Sequence, residues 1–308
     1  MIESVPNVSE GRRPDVIRAL VDAVSDVPGA HLLNCSSDPD HNRSVLTLAG
    51  DGDGLTQALL RLFDIATTQI DLRIHRGEHP RIGAVDVVPF VPLKDTAMAA
   101  CADLARSVGK TVADRFDIPV YLYEEASATS NRRRLEDVRR GQFEGLATKM
   151  AAAPWPPDFG PSTPHPTAGA SAIGARRVLI ALNVNLDTDD LKVAQQIART
   201  VRARNGGLPF VKAIAIQLTR RHLVQVSMNL TDYVRTPLHL VCNTVKREAD
   251  KLGVTVANSE VVGMVPADVL VTPAVRYLQL DRFTPDQVLE TRLPLPLKNP
   301  SPRAFKNK

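Results

Sequence analysis

Aromatic side chains make up only 4% of the 308 residues, with a single tryptophan among them. That is too few for the stacked platforms that hold single-stranded nucleic acid. Cysteine is scarcer still. Cys35, Cys101 and Cys242 are odd in number and widely spaced, which argues against a disulfide framework or a thiolate cluster. Each lies in an apolar stretch, so buried free thiols are expected. No apolar run is long enough to span a bilayer, although 44% of the residues are hydrophobic. The opening MIESVPNVSEGRR has no apolar signal-peptide core, so a cytoplasmic protein with no membrane partner is expected. There is no G-x-S-x-G, no G-x-x-x-x-G-K-[ST] and no G-x-G-x-x-G, so the usual serine-hydrolase, P-loop and dinucleotide signatures are missing. Charge of one sign is also lacking. Lys and Arg number 38 against 34 Asp and Glu, a net of +4, which is a weak argument for nucleic acid. The isoelectric point of about 9.0 equally suits a small polyanionic ligand.

Among the motifs that are present, HRGEHPRIG at 75–83 contains His75, Glu78 and His79 in the H-x-x-E-H order of an inverted zinc-peptidase site. Zinc would need both imidazoles on one face of a helix. Gly77 lies between them and Pro80 follows His79, and both residues disfavour helix. The stretch therefore reads as a loop, and no metal is expected. Asp38-Pro39-Asp40-His41-Asn42 resembles the start of a calcium loop, but Arg43 and Ala49 stand where glycine and a bidentate acid are needed. What remains is a set of guanidinium groups, Arg43, Arg73 and Arg81, suited to carboxylate ligands. Beside them stands His79, which Glu78 or Asp86 is placed to orient. Asp86 interrupts the apolar GAVDVVPF, where a carboxylate is costly unless paired. The Arg132-Arg133-Arg134 run reads as solvated surface.

Periodicity gives a doubled order of elements. Residues 2–6, 31–35, 44–48 and 84–90 read as strands, with helices from Pro14 and over Leu55–Ile70 placed to give β-α-β-β-α-β. A helix over 96–117, the strand PVYLY and a peripheral helix over 135–151 follow. The proline-dense APWPPDFGPSTPHPT at 153–167 marks a boundary. The order then repeats: strand 178–186, helix 191–201, a hairpin 210–218 and 223–230, helix 238–252, strand 254–262 and a last helix after Pro266. The fold class is α+β, with two ferredoxin-like subdomains at 1–169 and 170–291 and a flexible tail at 292–308. In the second half, Asn183 and Asn185 share one strand face, and Gln225, Ser227 and Asn229 share another. Two readings of this pattern stand: a polar face turned to water, or the lining of a cleft.

The stretches VPNVSEGR (5–12), HNRSV (41–45) and RGEHPRIGAVDVVPFVP (76–92) resemble the formiminotransferase family. So do PVYLYEEA (119–126), DFGPS (158–162) and GARRVLIALNVNL (174–186), and the likeness is collinear from about residue 2 to 280. The resemblance implies two ferredoxin-like subdomains packed side by side around a folate tunnel or cleft, in a homodimer. It implies transfer of a formimino group from N-formimino-L-glutamate to N5 of tetrahydrofolate, a co-substrate, in histidine degradation. The histidine of GEHPR, His79, becomes the general acid and base. Gly160-Pro161-Ser162-Thr163-Pro164-His165-Pro166-Thr167-Ala168-Gly169 becomes a folate-binding segment, with Asn183 and Asn185 as further folate contacts. TPHPTAG departs from the family here, where members carry bulkier aromatic residues near Ala168. The product would pass to a separate cyclodeaminase. A formyl transfer from 5-formyltetrahydrofolate to glutamate, or non-catalytic folate binding, are the alternatives.

Overall fold

The computed structural model describes residues 1–93, 95–280, 283, 287 and 288. The chain divides into two compact units, Met1–Arg177 and a second that begins at Val178. The tail expected at 292–308 lies outside the described residues.

The first strand is broken in two, β1 (Ile2–Ser4) and β2 (Asn7–Val8). Pro6 has no N–H to give a sheet, and its carbonyl instead accepts from the Leu46 amide at 3.1 Å. Helix α1 (Pro14–Ser25) starts on a proline and buries Val16, Leu20, Val21 and Val24. Its entry is tied down by Glu10, whose carboxylate accepts from the amides of Arg12 and Arg13 at 2.8 and 2.9 Å. Strands β3 (Ala30–Asp38) and β4 (Arg43–Gly50) form a hairpin. Asp51 then caps α2 (Gly52–Gln69), accepting from the Gly54 amide at 2.8 Å. Strand β5 (Val85–Pro92), α3 (Met98–Phe116) and β6 (Val120–Glu124) follow. Two short helices, α4 (Leu135–Val138) and α5 (Leu146–Met150), precede β7 (Ser171–Ala175).

The sheet order is β3-β4-(β1, β2)-β5-β7-β6. Its first four positions are the antiparallel ferredoxin-like order, and β7 and β6 extend it in parallel with β5. Helices α1 to α3 bury the main core, where Leu20, Leu55, Leu59, Leu62 and Phe63 are fully enclosed. Each such side chain contributes about 1.5–3 kcal/mol relative to exposure. A second core joins Val87, Tyr121, Tyr123 and Ala172 to Val138, Leu146 and Met150.

The second unit has β8 (Ile180–Leu186), α6 (Leu191–Val201), β9 (Val211–Leu218), β10 (Leu223–Leu230), α7 (Leu238–Lys251), β11 (Val256–Val262) and α8 (Asp268–Tyr277). Its sheet, ordered β11-β8-β10-β9, repeats the ferredoxin-like arrangement. Leu182, Val184, Leu186, Val224 and Val226 pack with residues of α6 and α7 in one core.

Three expectations change. The boundary drawn after Gly169 cuts off β7, which lies between β5 and β6 in the first sheet, so the first unit runs on to Arg177. The single helix over 135–151 is broken by Gly141 and Gln142, both at positive φ, into α4 and α5. Arg132 is not solvated surface. It is buried and pairs with Asp158 at 2.9 Å, while Asp158 also accepts from the Leu122 amide. Arg133 and Arg134 are exposed as expected.

The side chains of Arg132 and Asp158 are each about 10% exposed. Removing one partner of such a pair strands the other, at about 3–5 kcal/mol. Asp158→Ala should therefore lower unfolding free energy in urea by about that amount. Arg133→Ala breaks an exposed pair with Glu125 and should cost under about 1 kcal/mol. Equal small losses in the two variants contradict this ranking.

Candidate active site

One end of the first sheet gathers four pieces of chain: the end of β2, the turn from β3 to β4, the loop 71–83 before β5, and the link between α4 and α5. Val8, Ser9, His41, Asn42, Arg43, His75, His79, Arg81 and Asp86 line a small cleft there.

Asn42 organises it. Held at φ 48°, its side chain accepts from the Gly11 amide at 3.0 Å and donates to the Arg76 carbonyl at 2.9 Å. Its own carbonyl accepts from Nε2 of His75 at 2.9 Å. Gly77 lets the loop lie flat on this turn, since a Cβ there would sit 2.2 Å from the His41 carbonyl oxygen. The loop is thus no zinc helix. His75 has both ring nitrogens engaged, because Arg81 donates to its Nδ1 at 3.2 Å. Among the described residues, no three His, Cys, Asp or Glu are grouped to hold a metal ion.

Asp86 owes its position to a β-bulge. Asn7 pairs with Val87 and the next residue, Val8, with Val85, which leaves Asp86 as the extra residue. Buried at 2% exposure, it accepts from the Ile82 amide at 2.8 Å and from Arg139. It therefore braces the turn after His79 without reaching the imidazole by any hydrogen bond among these.

His79 rests between two fixed partners. Its Nδ1 lies 2.8 Å from the Pro80 carbonyl, which can only accept, so Nδ1 carries the proton. Its Nε2 meets an N–H of Arg43, which can only donate, so Nε2 presents a lone pair. Burial, then the charges of Arg43, Arg139 and His41, hold its pKa well below the usual histidine value. The ring is neutral at neutral pH. The environment of His75 also lowers its pKa, again chiefly by burial. Arg43 itself is pushed down to about 9 by burial and by Arg139, against the opposing pull of Asp86 and Asp38.

The remaining expected residues divide clearly. Arg81 is buried and donates to His75 Nδ1, to the His75 carbonyl, to Gln142 and through both terminal nitrogens to Glu144. Its five N–H groups have protein partners, so it positions the loop and has none left for a ligand carboxylate. Arg73 is exposed and forks onto Asp71, and Glu78 is exposed with only its amide held, by the Asp40 carbonyl. Neither joins the cleft. The segment Gly160–Gly169 closes on itself through paired backbone bonds between His165 and Gly169. Its end is then laced to the chain before β5, with Ala84 N to Ala168 O at 2.9 Å and Leu72 N to Thr167 O at 2.8 Å.

Asn183 and Asn185 belong to the second unit and are buried, as is Gln225. A face wholly turned to water is therefore not what these positions form. Asn183 donates to Glu260 and Asn185 to Asn258, while Gln225 donates to Asn185 at 2.9 Å. Sequence reasoning missed Arg139, Glu144 and the tether of Asn42. Only HNRSV, which contains Asn42, offered a signal.

The depressed histidines make stability depend on pH, and His75 and His79 of the cleft are two of them. Below about 6.5 the unfolded chain takes up protons at both rings that the folded chain refuses. Stability should therefore be fully present above that pH and fall as the pH drops toward the lower folded values. His79→Gln removes one titrating ring facing Arg43, Arg139 and His41, so its melting temperature should fall less between pH 7 and 5. A wild-type slope in that variant contradicts the neutral ring.

Comparison with known proteins gives the family of the chain. Residues 1–176 match the profile described as "Formiminotransferase domain, N-terminal subdomain", and residues 181–291 match "Formiminotransferase domain". The chain is 43% identical over 294 residues to a glutamate formimidoyltransferase of Streptococcus pyogenes serotype M1, covering 95% of this chain and 98% of that one. It is 44% identical to a glutamate formimidoyltransferase of Thermoplasma acidophilum, covering 95% and 97%. A formimidoyltransferase-cyclodeaminase of Rattus norvegicus is 39% identical over 92% of this chain, which spans 53% of that longer protein. The chain belongs to the formiminotransferase family.

Proposed function

We propose that this chain is a glutamate formimidoyltransferase that moves the formimino group of N-formimino-L-glutamate to N5 of tetrahydrofolate, with His79 as the proton carrier. The observation that carries this reading is the neutral imidazole, with its protonated nitrogen tied to Pro80 and its lone pair at the cleft. N5 attacks the amidine carbon and becomes cationic. It must lose a proton as the tetrahedral adduct forms. The glutamate nitrogen must gain one before its bond to carbon breaks. A single imidazole can take the first proton on Nε2 and return it to the leaving nitrogen. This sequence balances without metal or redox chemistry. Holding both reactants beside that nitrogen supplies much of the remaining acceleration.

In this reading Gly160–Gly169 and the amides of Asn183 and Asn185 take the folate. The amides already bond to neighbouring side chains, so folate must exchange for those bonds. The proposed setting is the cytosol, in a homodimer, with the product handed to a separate cyclodeaminase. Formyl transfer from 5-formyltetrahydrofolate to glutamate uses the same proton traffic and is the second reading. A purely folate-binding protein has no need of a fixed, neutral imidazole in its cleft.

Purified protein should form 5-formimino-tetrahydrofolate from the two substrates. His79→Ala should lower kcat by about a hundredfold or more, with tetrahydrofolate affinity unchanged. Near-normal turnover in that variant overturns the role of His79. Turnover only with the formyl donor selects the second reading. Treatment with a strong chelator should leave the rate intact, and loss restored by zinc contradicts the metal-free mechanism.

A further inference from the structure

In and beside the cleft are two partly buried guanidinium groups, those of Arg43 and Arg139, that are poorly matched in this state. Arg43, the first residue of β4, places one N–H on Nε2 of His79, a neutral ring nitrogen. Arg139, just after α4, places one N–H on Asp86. The Nε of each arginine is buried without a hydrogen-bond partner. A buried donor left unpaired is costly, and guanidinium is best satisfied by a carboxylate that accepts two parallel bonds. Arg73 and Arg81, two other arginines of the region, already fork onto Asp71 and Glu144, and Arg76 donates to the carbonyls of Arg73 and His75.

The arrangement also obstructs the chemistry. The lone pair that His79 needs for proton transfer is occupied by Arg43. We propose that Arg43 and Arg139 together form the subsite for one carboxylate of the glutamyl substrate, and that this carboxylate draws Arg43 away from His79 and so frees Nε2. Arg43 is then a positioning residue whose release couples substrate binding to the readiness of the base. Arg139 fixes the specificity for an acidic substrate while it holds Asp86 in the bulge. The groups facing His79 in this exchange are Arg43, Arg139 and His41, with Asp86 and Asp38 acting on Arg43. A carboxylate arriving beside the ring offsets the two cationic neighbours, so the ring binds a proton more readily once the ligand is in place.

The inference rests on the proposed transferase reading, but its test needs no turnover. N-formyl-L-glutamate carries both carboxylates and has no acceptor to react with when folate is absent. Its binding is followed by calorimetry near pH 6 in two buffers of different ionisation enthalpy, beside its two mono-amides. Wild type should bind the diacid at least tenfold more tightly than one of the mono-amides and should take up protons on binding. Arg139→Gln should lose about tenfold or more on the diacid, with the preference over that amide abolished. Arg43→Lys, which keeps the charge but not the fork, should lose affinity and proton uptake together. Arg139→Lys serves where Arg139→Gln melts more than a few degrees below wild type. Equal affinity for diacid and both amides in wild type overturns the subsite. So does a variant that weakens diacid and amide alike, because that pattern marks a structural role. Failure of the transferase reading has a different signature, in which the diacid binds as described but no one-carbon group reaches folate.

Discussion

The carboxamide of Asn42 is the fastening on which the site depends. With its backbone at positive φ, it receives the amide of Gly11, gives to the carbonyl of Arg76, and sets its own carbonyl under Nε2 of His75. Three segments far apart in sequence are held by one small, buried side chain. Asparagine suits the task because it tolerates the left-handed region and carries both a donor and an acceptor. Gly77 completes the fastening, since the loop lies too near the His41 carbonyl for any side chain.

From that fastening the electrostatics of the site follow. The loop returns through His79 and Arg81, and Arg81 locks its own end by binding His75 and Glu144. Asp86, displaced from the ladder by the bulge, holds the Ile82 amide just beyond. The imidazole of His79 then has little freedom: one nitrogen meets a carbonyl and the other an arginine. Desolvation first, and then its cationic neighbours, keep it neutral. A neutral ring is a base from the outset, and the guanidinium on its lone pair is what must move.

Much of the fold could be read in advance because it rests on local periodicity. Helix α2 buries Leu55, Leu59, Leu62, Phe63 and Ala66, the residues its spacing singles out, and the twice-repeated β-α-β-β-α-β order appears in two sheets of one topology. Strand β7 escaped because Ser171–Ala175 is short, small and preceded by proline-rich chain, and its partners are distant. At the site, His79 and Asp86 were visible as odd residues in their settings, a histidine in a proline loop and an acid in an apolar strand. Arg139 gave no such sign. It sits in a stretch of ordinary charged residues, at the end of the short helix α4, and reaches Asp86 across 53 residues of sequence. The three arginines nearest the motif looked interchangeable in the sequence. Burial and partner choice separate them, and neither is a local property.

The central claim is that His79 is neutral and carries its proton on Nδ1, with Nε2 as the base. Nitrogen-15 spectra of histidine-labelled protein report this directly, with His79→Gln used to assign the ring. At pH 7 and without ligand, His79 should show a protonated Nδ1 and an unprotonated Nε2, and should titrate well below the ordinary histidine range near 6.5. A doubly protonated ring at pH 7, or a proton on Nε2, would contradict the account.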